Sequence, residues 1–237
     1  MNILITGGAS GLGKAITLLL AGNETYKVYF TYNSSSENAK EIEKQFQNSK
    51  ALQCDFKDEK QVDELLNIIS QLDLDVLINN AFCGIYEMNH FHKTNPDSYK
   101  LDFENNILPV IKIAQSVIKI FRKKKKGKII TILTSYLSNM PPLGMSVYVA
   151  GKAYLKQLSK VWAIENIKYN ITSNSISPSF METELNNKVD QRLIEQLKLQ
   201  HPLKKLLTPE EVANTIACMI NSSDHMNGVD IVLNAGA

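Results

Sequence analysis

Apolar residues fall into two rhythms along the chain. Short continuous runs, such as Ile3-Leu4-Ile5, "VLI" at 76–78 and "KIITIL" at 128–133, suit strands buried on both faces of a sheet. Between them apolar residues return at helical spacing, as in Ile107, Val110, Ile111, Ala114, Val117, Ile118 and Phe121. The rhythms predict strands at 2–6, 26–32, 49–54, 75–79, 128–134, 170–176 and 229–233, and helices at 12–22, 35–48, 58–71, 99–125, 147–168 and 208–221. This alternation predicts an α/β fold, a doubly wound parallel sheet of about seven strands with helices on both faces. Such sheets bind ligands beyond the carboxyl ends of their strands, where the strand order reverses.

The first strand and helix meet in "ILITGGASGLGKAI" (3–16), which carries Gly7, Gly8, Gly11 and Gly13. Glycine permits tight turns and close approach of backbone to a ligand. The first amides of a helix lack partners within it and its dipole is positive there, so the junction suits an anion such as a pyrophosphate. The spacing is Thr6-Gly7, three residues, Gly11, one residue, Gly13. It differs from the common dinucleotide fingerprint, whose first two glycines are closer. The polar, partly helical stretch 177–211 is the longest excursion between predicted strands and is expected to be a substrate lid.

Composition narrows the partners. The 237 residues, 44% of them hydrophobic, fit one α/β domain over 1–237. No apolar run approaches the about 20 residues of a membrane helix, and the opening residues lack the pattern of a signal peptide. A cytoplasmic protein without a membrane partner is expected. Cys54, Cys83 and Cys218 are odd in number and widely spaced, which fits reduced thiols. A net charge of +2 argues against a nucleic-acid partner. The basic run "RKKKKGK" (122–128) ends an apolar helical pattern. Cations suit a helix C-terminus, and Gly127 is read as the helix stop. His90, His92, His201 and His225 show no metal-ligand spacing, so no metal is expected.

A chemical signature lies in "SVYVAGK" (146–152). Tyr148 and Lys152, four residues apart, share one face of a helix. A free tyrosine has a pKa near 10, about three units too high for easy proton exchange at neutral pH. A neighbouring ammonium favours the phenolate and lowers that pKa. Ser135 ends the strand "KIITILTS", thirteen positions before Tyr148.

With these motifs in view, the chain resembles the short-chain dehydrogenase/reductase family and is similar to its 3-oxoacyl-[acyl-carrier-protein] reductase-like branch. The glycine motif, "CDFKD" (54–58), "NNA" (79–81), "DFENNILPV" (102–110), Ser135, Tyr148, Lys152, "ISPSFMET" (176–183) and "LLTPEEVANTIACMINSSD" (206–224) carry the resemblance over nearly the whole chain. It implies a Rossmann-type fold and hydride transfer between a nicotinamide and a ketone or secondary alcohol. It implies a catalytic set in which Tyr148 exchanges the proton and Lys152 lowers the tyrosine pKa and holds the ribose. Ser135 would orient the substrate oxygen, and Asn106 would support a water relay. It implies cofactor contacts from Gly7, Ser10, Gly11, Leu12, Gly13, Asn33, Ser34, Asp55, Phe56, Asn80, Ala81, Tyr148, Lys152, Pro178 and Thr183. A homotetramer or homodimer is implied, with helices 99–125 and 147–168 at the interface. The substrate is expected to be a small carbonyl or alcohol, with a carrier-bound one open. A cofactor-binding sensor or scaffold without turnover stays as the alternative.

Three positions depart from the family pattern: Phe82, Ser179 and Ala235 stand where glycines are usual. They suggest a substrate pocket unlike that of a fatty-acid enzyme, with Met140, Met145 and Met181 as apolar lining. After strand two come Tyr32, Asn33, Ser34 and Ser35, and the first acid is Glu37. The carboxylate that would repel a 2′-phosphate is missing, although no arginine replaces it. NADP(H) is therefore expected over NAD(H), by a modest margin.

Overall fold

A computed structural model describes residues 1–84, 88–181 and 191–236. The described residues form one seven-stranded sheet in the order β3-β2-β1-β4-β5-β6-β7. Its strands are β1 Asn2–Ile5, β2 Lys27–Tyr32, β3 Ser49–Gln53, β4 Val76–Asn79, β5 Gly127–Ile132, β6 Ile171–Pro178 and β7 Asp230–Leu233. Every pairing is parallel, and Ile5 lies opposite Phe30 on one side and Ile78 on the other. The order reverses at β1, so a crevice opens above the carboxyl ends of β1 and β4. This is the Rossmann-type arrangement expected.

The helices are α1 Gly11–Ala21, α2 Ser36–Gln45, α3 Glu59–Ser70, α4 Pro96–Asp102, α5 Leu108–Lys124, α6 Ser146–Asn166, α7 Gln191–Gln200 and α8 Pro209–Ile220. The strand pleat divides the apolar residues between two layers. Ile3, Ile5 and Ile78 pack against Ile16 and Leu20 of α1, Ile42 of α2 and Ile216 of α8. Leu4 and Leu77 face the other way, onto Leu65 of α3, Val110, Ile113 and Val117 of α5 and Trp162 of α6.

Two local readings change. The helix expected over 99–125 begins earlier, at Pro96, and a wide π-turn, Phe103–Ile107, divides it into α4 and α5. Pro109, in the first turn of α5, explains the division. A proline within a helix has no N–H to return to the carbonyl four residues back, here that of Asn105. The thiol of Cys83 donates to that carbonyl instead, at 3.4 Å.

The stop of α5 is Lys125, in the left-handed conformation at φ 54°, rather than Gly127. Gly127 opens β5, and a Cβ there would strike the Phe121 ring. The basic run is engaged locally. Lys124 pairs with Asp73 and Asp75 at 2.8 and 2.7 Å. Arg122 donates to Asn166 at 2.7 Å and its guanidinium lies 4.9 Å from the Tyr169 ring centroid.

Ala235 follows β7 at φ 56°, where an L-residue with a Cβ is strained by about 1–2 kcal/mol. Ala235→Gly is expected to stabilise the protein by about 1 kcal/mol, raising the Tm by about 2–4 °C for a chain of this size. A thermal melt followed by circular dichroism checks it, and an unchanged or lower Tm would remove the strain argument.

Candidate active site

The glycine turn is held from both sides. The Thr6 hydroxyl accepts from the amides of Asn80 and Ala81 at 2.9 and 3.0 Å. The Asn80 side chain donates to the carbonyls of Thr6 and Gly7 at 2.9 and 3.0 Å. From β2, the Thr31 hydroxyl accepts from Gly7 N at 2.9 Å, and the Thr31 carbonyl accepts from Gly8 N at 2.8 Å. Gly7 has φ +67°, and a Cβ on Gly13 would lie 1.9 Å from the Gly7 carbonyl oxygen, so both positions require glycine. Ser10 is the N-cap of α1 but makes no side-chain capping bond. The first amides of α1 therefore remain open donors at the positive end of the helix.

A cavity of about 730 Å³ runs from this turn across the carboxyl ends of the strands. Its walls bring together Gly7, Ser10, Gly11, Leu12, Gly13, Asn33, Ser34, Asp55, Phe56, Asn80, Ala81, Tyr148, Lys152 and Pro178. Every cofactor residue expected from the sequence is among them except Thr183, which lies outside the described residues with the rest of 182–190. Of the expected lid, Ser179, Phe180, Met181 and Leu197 of α7 also line the cavity. Its size, the open amides and the glycine cradle fit a dinucleotide.

Tyr148 and Lys152 project from the first two turns of α6. Lys152 is buried and donates to the Ile132 carbonyl at 2.9 Å. Its ammonium lies 5.9 Å from the Tyr148 ring centroid and 5.2 Å from that of Phe82. Burial lowers the Lys152 pKa to about 8, opposed by the charge of Asp102. Burial pushes Tyr148 up to about 12, opposed by a hydrogen bond with Thr134. The lowering of Tyr148 expected from Lys152 does not appear: burial acts on the phenol directly, and Tyr136 and Asp102 push the same way. Asn106 is buried in the π-turn, where its side chain accepts from Cys83 N at 2.7 Å and donates to Asp102 at 2.9 Å.

The hydroxyl beside Tyr148 belongs to Thr134. Thr134 lines the cavity, also accepts from Tyr136 N at 3.4 Å, and is hydrogen-bonded to Tyr148. Ser135, the residue expected there, is 4% exposed and is not among the lining residues described. Thr134 is extended and caps the 3-10 turn Ser135–Leu137, so Ser135 belongs to the turn while Thr134 stays on the cavity wall. Met145 and Met181 line the cavity as expected, whereas Met140 is carried outward by its loop and is 92% exposed. Burial raises the Cys83 thiol to about 11, which keeps it protonated.

Sequence reasoning also missed Lys14. Its ammonium donates to Asn38 of α2 at 3.2 Å, and Asn38 donates to the Ala9 carbonyl at 3.0 Å. This ties the lysine of α1 to the first turn of α2, which follows Ser35. The signal was a lysine directly after the last motif glycine, but only the packing of α1 beside α2 shows what it faces.

Fold and cleft together define a dinucleotide-binding oxidoreductase. Residues 7–237 match the family model described as enoyl-(acyl carrier protein) reductase. The chain is similar to the 3-oxoacyl-[acyl-carrier-protein] reductase FabG of Staphylococcus epidermidis, 31% identical, covering 99% of this chain and 98% of that protein. It is 25% identical to 2,3-dihydro-2,3-dihydroxybenzoate dehydrogenase of Bacillus subtilis, over 98% of this chain and 94% of that protein. Among solved structures, ElxO with NADP bound superposes with a TM-score of 0.87 at 27% identity, covering 99% and 97% of the two chains. The chain belongs to the short-chain dehydrogenase/reductase family. It is an NAD(P)-dependent oxidoreductase acting between a ketone and a secondary alcohol.

Removing the cavity-facing hydroxyl tests the placement of Thr134. Thr134→Val is expected to lower turnover about 10²-fold, the scale of losing one preorganised donor, whereas Ser135→Ala keeps turnover within a few-fold. Steady-state kinetics on a ketone substrate check this, and the reverse order of effects would return the role to Ser135.

Proposed function

We propose that the protein is an NADPH-dependent ketone reductase in which Tyr148 is the general acid. The observation that carries this reading is the buried group of Tyr148, Lys152 and Thr134 on the wall of the cavity that starts at the glycine turn. The reduced nicotinamide, when bound, supplies the hydride. The chain's own part is the proton and its placement. Thr134 and Tyr148 hold the substrate oxygen, and Tyr148 delivers its phenolic proton to it. Burial keeps Tyr148 protonated at neutral pH, the form that reduction requires. Thr134 opposes that upward push, and Lys152 would offer a positive charge to the phenolate as it forms. Positioned proton transfer is worth about 10²–10⁴-fold in rate.

Tyr148→Phe is expected to leave NADPH affinity within about twofold while turnover falls about 10²-fold or more. Lys152→Ala should weaken both. Fluorescence titration of NADPH and initial rates over a panel of ketones check the pair. Near-normal turnover by Tyr148→Phe would overturn the mechanism.

NADPH is the assigned cofactor because the chain after β2 offers Asn33, Ser34 and Ser35 to the cavity and no carboxylate. Lys14, held by Asn38 in the first turn of α2, is the cation assigned to the 2′-phosphate. The neutral donors and a single lysine make a weaker phosphate site than an arginine fork, so the preference is modest. At equal subsaturating concentrations NADPH is expected to give the faster initial rate. Asn33→Asp should shift preference towards NADH by repulsion, and Lys14→Ala should weaken NADPH more than NADH. Faster turnover of the unmodified protein with NADH would refute the assignment.

The substrate is a small ketone or a carrier-bound one, entering beside Phe180, Met181 and Met145. A homodimer or homotetramer is supported by exposed apolar residues on the expected helices, namely Leu101, Phe103, Tyr154 and Ile164. Phe103 of the π-turn and Tyr154 of α6 meet edge to face at 5.5 Å. Light scattering at micromolar concentration should give a mass of two or four chains, and a monomer would remove this reading.

A further inference from the structure

Asp102 is a buried carboxyl that the mechanism above does not use. It closes α4 and is 4% exposed. Carboxylates are almost never buried to this degree without a partner. One oxygen accepts from the Asn106 side chain at 2.9 Å. The other is directed at Gly151 on α6, where an added Cβ would meet it at 2.4 Å. Gly151 directly precedes Lys152, so α4 and α6 meet at this carboxylate one residue before the catalytic lysine.

The geometry points to Asp102 as a positioning residue that holds Lys152 in its cationic form and anchors the amide of Asn106. The inference rests on the reading of Tyr148 and Lys152 as the proton-transfer pair. The titratable groups around the site are Lys152 and Tyr148 from α6, Cys83 from the segment after β4, and Tyr136 from the segment after β5. Of these only Lys152 is a cation. Burial raises the Asp102 pKa, and the Asn106 hydrogen bond and the Lys152 charge oppose that rise, while the Asp102 charge favours the protonated forms of Lys152 and Tyr148. Burial has already brought the Lys152 pKa down to about 8. Without the carboxylate the ammonium would lose its proton within the working pH range, and Tyr148 would lose the positive charge that steadies its phenolate. A neutral side chain at 102 could fill the space but could not do this.

The test is carried out first on the free protein. Lysines are labelled at 13Cε, and the Lys152 resonance is identified by its loss in Lys152→Met. Asp102→Asn keeps the shape and can still accept from Asn106 while removing the charge. Gly151→Ala keeps the charge but pushes the carboxylate away. Both are expected to lower the Lys152 titration midpoint by about one pH unit or more, the scale of a nearby opposite charge. The alkaline limb of kcat/KM should move to lower pH by the same amount, because Lys152 is required as the cation.

An unchanged Lys152 midpoint in a folded Asp102→Asn or Gly151→Ala protein overturns the inference. Failure of both variants to fold does so too, by assigning Asp102 to stability alone. A shifted midpoint with an unmoved alkaline limb supports the coupling, and places the error in the role given to Lys152 in turnover.

Discussion

The site depends on one constraint, the clamping of the glycine turn to its two neighbouring strands. Thr6 fixes the amides of Asn80 and Ala81, Asn80 returns bonds to the carbonyls of Thr6 and Gly7, and Thr31 holds Gly7 and Gly8 from β2. These bonds tie β1 to both neighbours at the point where the strand order reverses. They also bring the Gly7 carbonyl so close to Gly13 that no side chain fits there. The start of α1 is thereby aimed, and with it the open amides that make the cleft attractive to phosphate. Interiors are close-packed and transmit strain, so a shift in this turn would displace Ala81 and, through it, the wall carrying Phe82 and Cys83.

Across the cleft the governing effect is loss of water. Burial drives a phenol up and an ammonium down, so both Tyr148 and Lys152 are pushed towards their neutral forms. That suits a proton donor waiting for substrate, but it threatens the lysine. The surroundings answer with dipoles and charge: the Ile132 carbonyl on the ammonium, the Thr134 hydroxyl on the phenol, and Asp102 behind. The π-turn belongs to the same arrangement. Pro109 denies Asn105 its helical partner, the run widens, and Asn106 faces inward between Cys83 and Asp102. Irregular turns of this kind concentrate at functional sites.

Much of the sheet was legible because strands such as β1 and β4, buried on both faces, are written as short apolar runs, and each expected strand has its counterpart within a residue or two. The glycine motif and the Tyr148–Lys152 spacing were legible for a similar reason, since each is set by local geometry. What the sequence left ambiguous was orientation. Thr134 and Ser135 are adjacent hydroxyls, and counting back from Tyr148 selects Ser135, but a 3-10 turn begins at Ser135 and it is Thr134, its N-cap, that lines the cavity. Lys14 and Asp102 gain their meaning only from tertiary neighbours, Asn38 and Gly151. The division of helix 99–125 followed from Pro109, a residue that hydrophobic periodicity does not weigh.

Phe82 shows how far the pocket departs from the family pattern. Where glycine is usual, its ring packs edge to face on Tyr148 at 5.3 Å and lies 5.2 Å from the Lys152 ammonium. An aromatic face so placed attracts the cation and excludes water from the proton-transfer pair. Exclusion strengthens every remaining field in the site, because charges interact more strongly at lower effective dielectric. With Met145, Phe180, Met181 and Leu197 on the remaining walls, the carbonyl of a substrate would be the polar part and its flank an apolar one. On the proposed reading, specificity in such a pocket would rest on shape and on hydroxyls such as those of Thr134 and Tyr148, because apolar walls discriminate weakly between substrates of similar size.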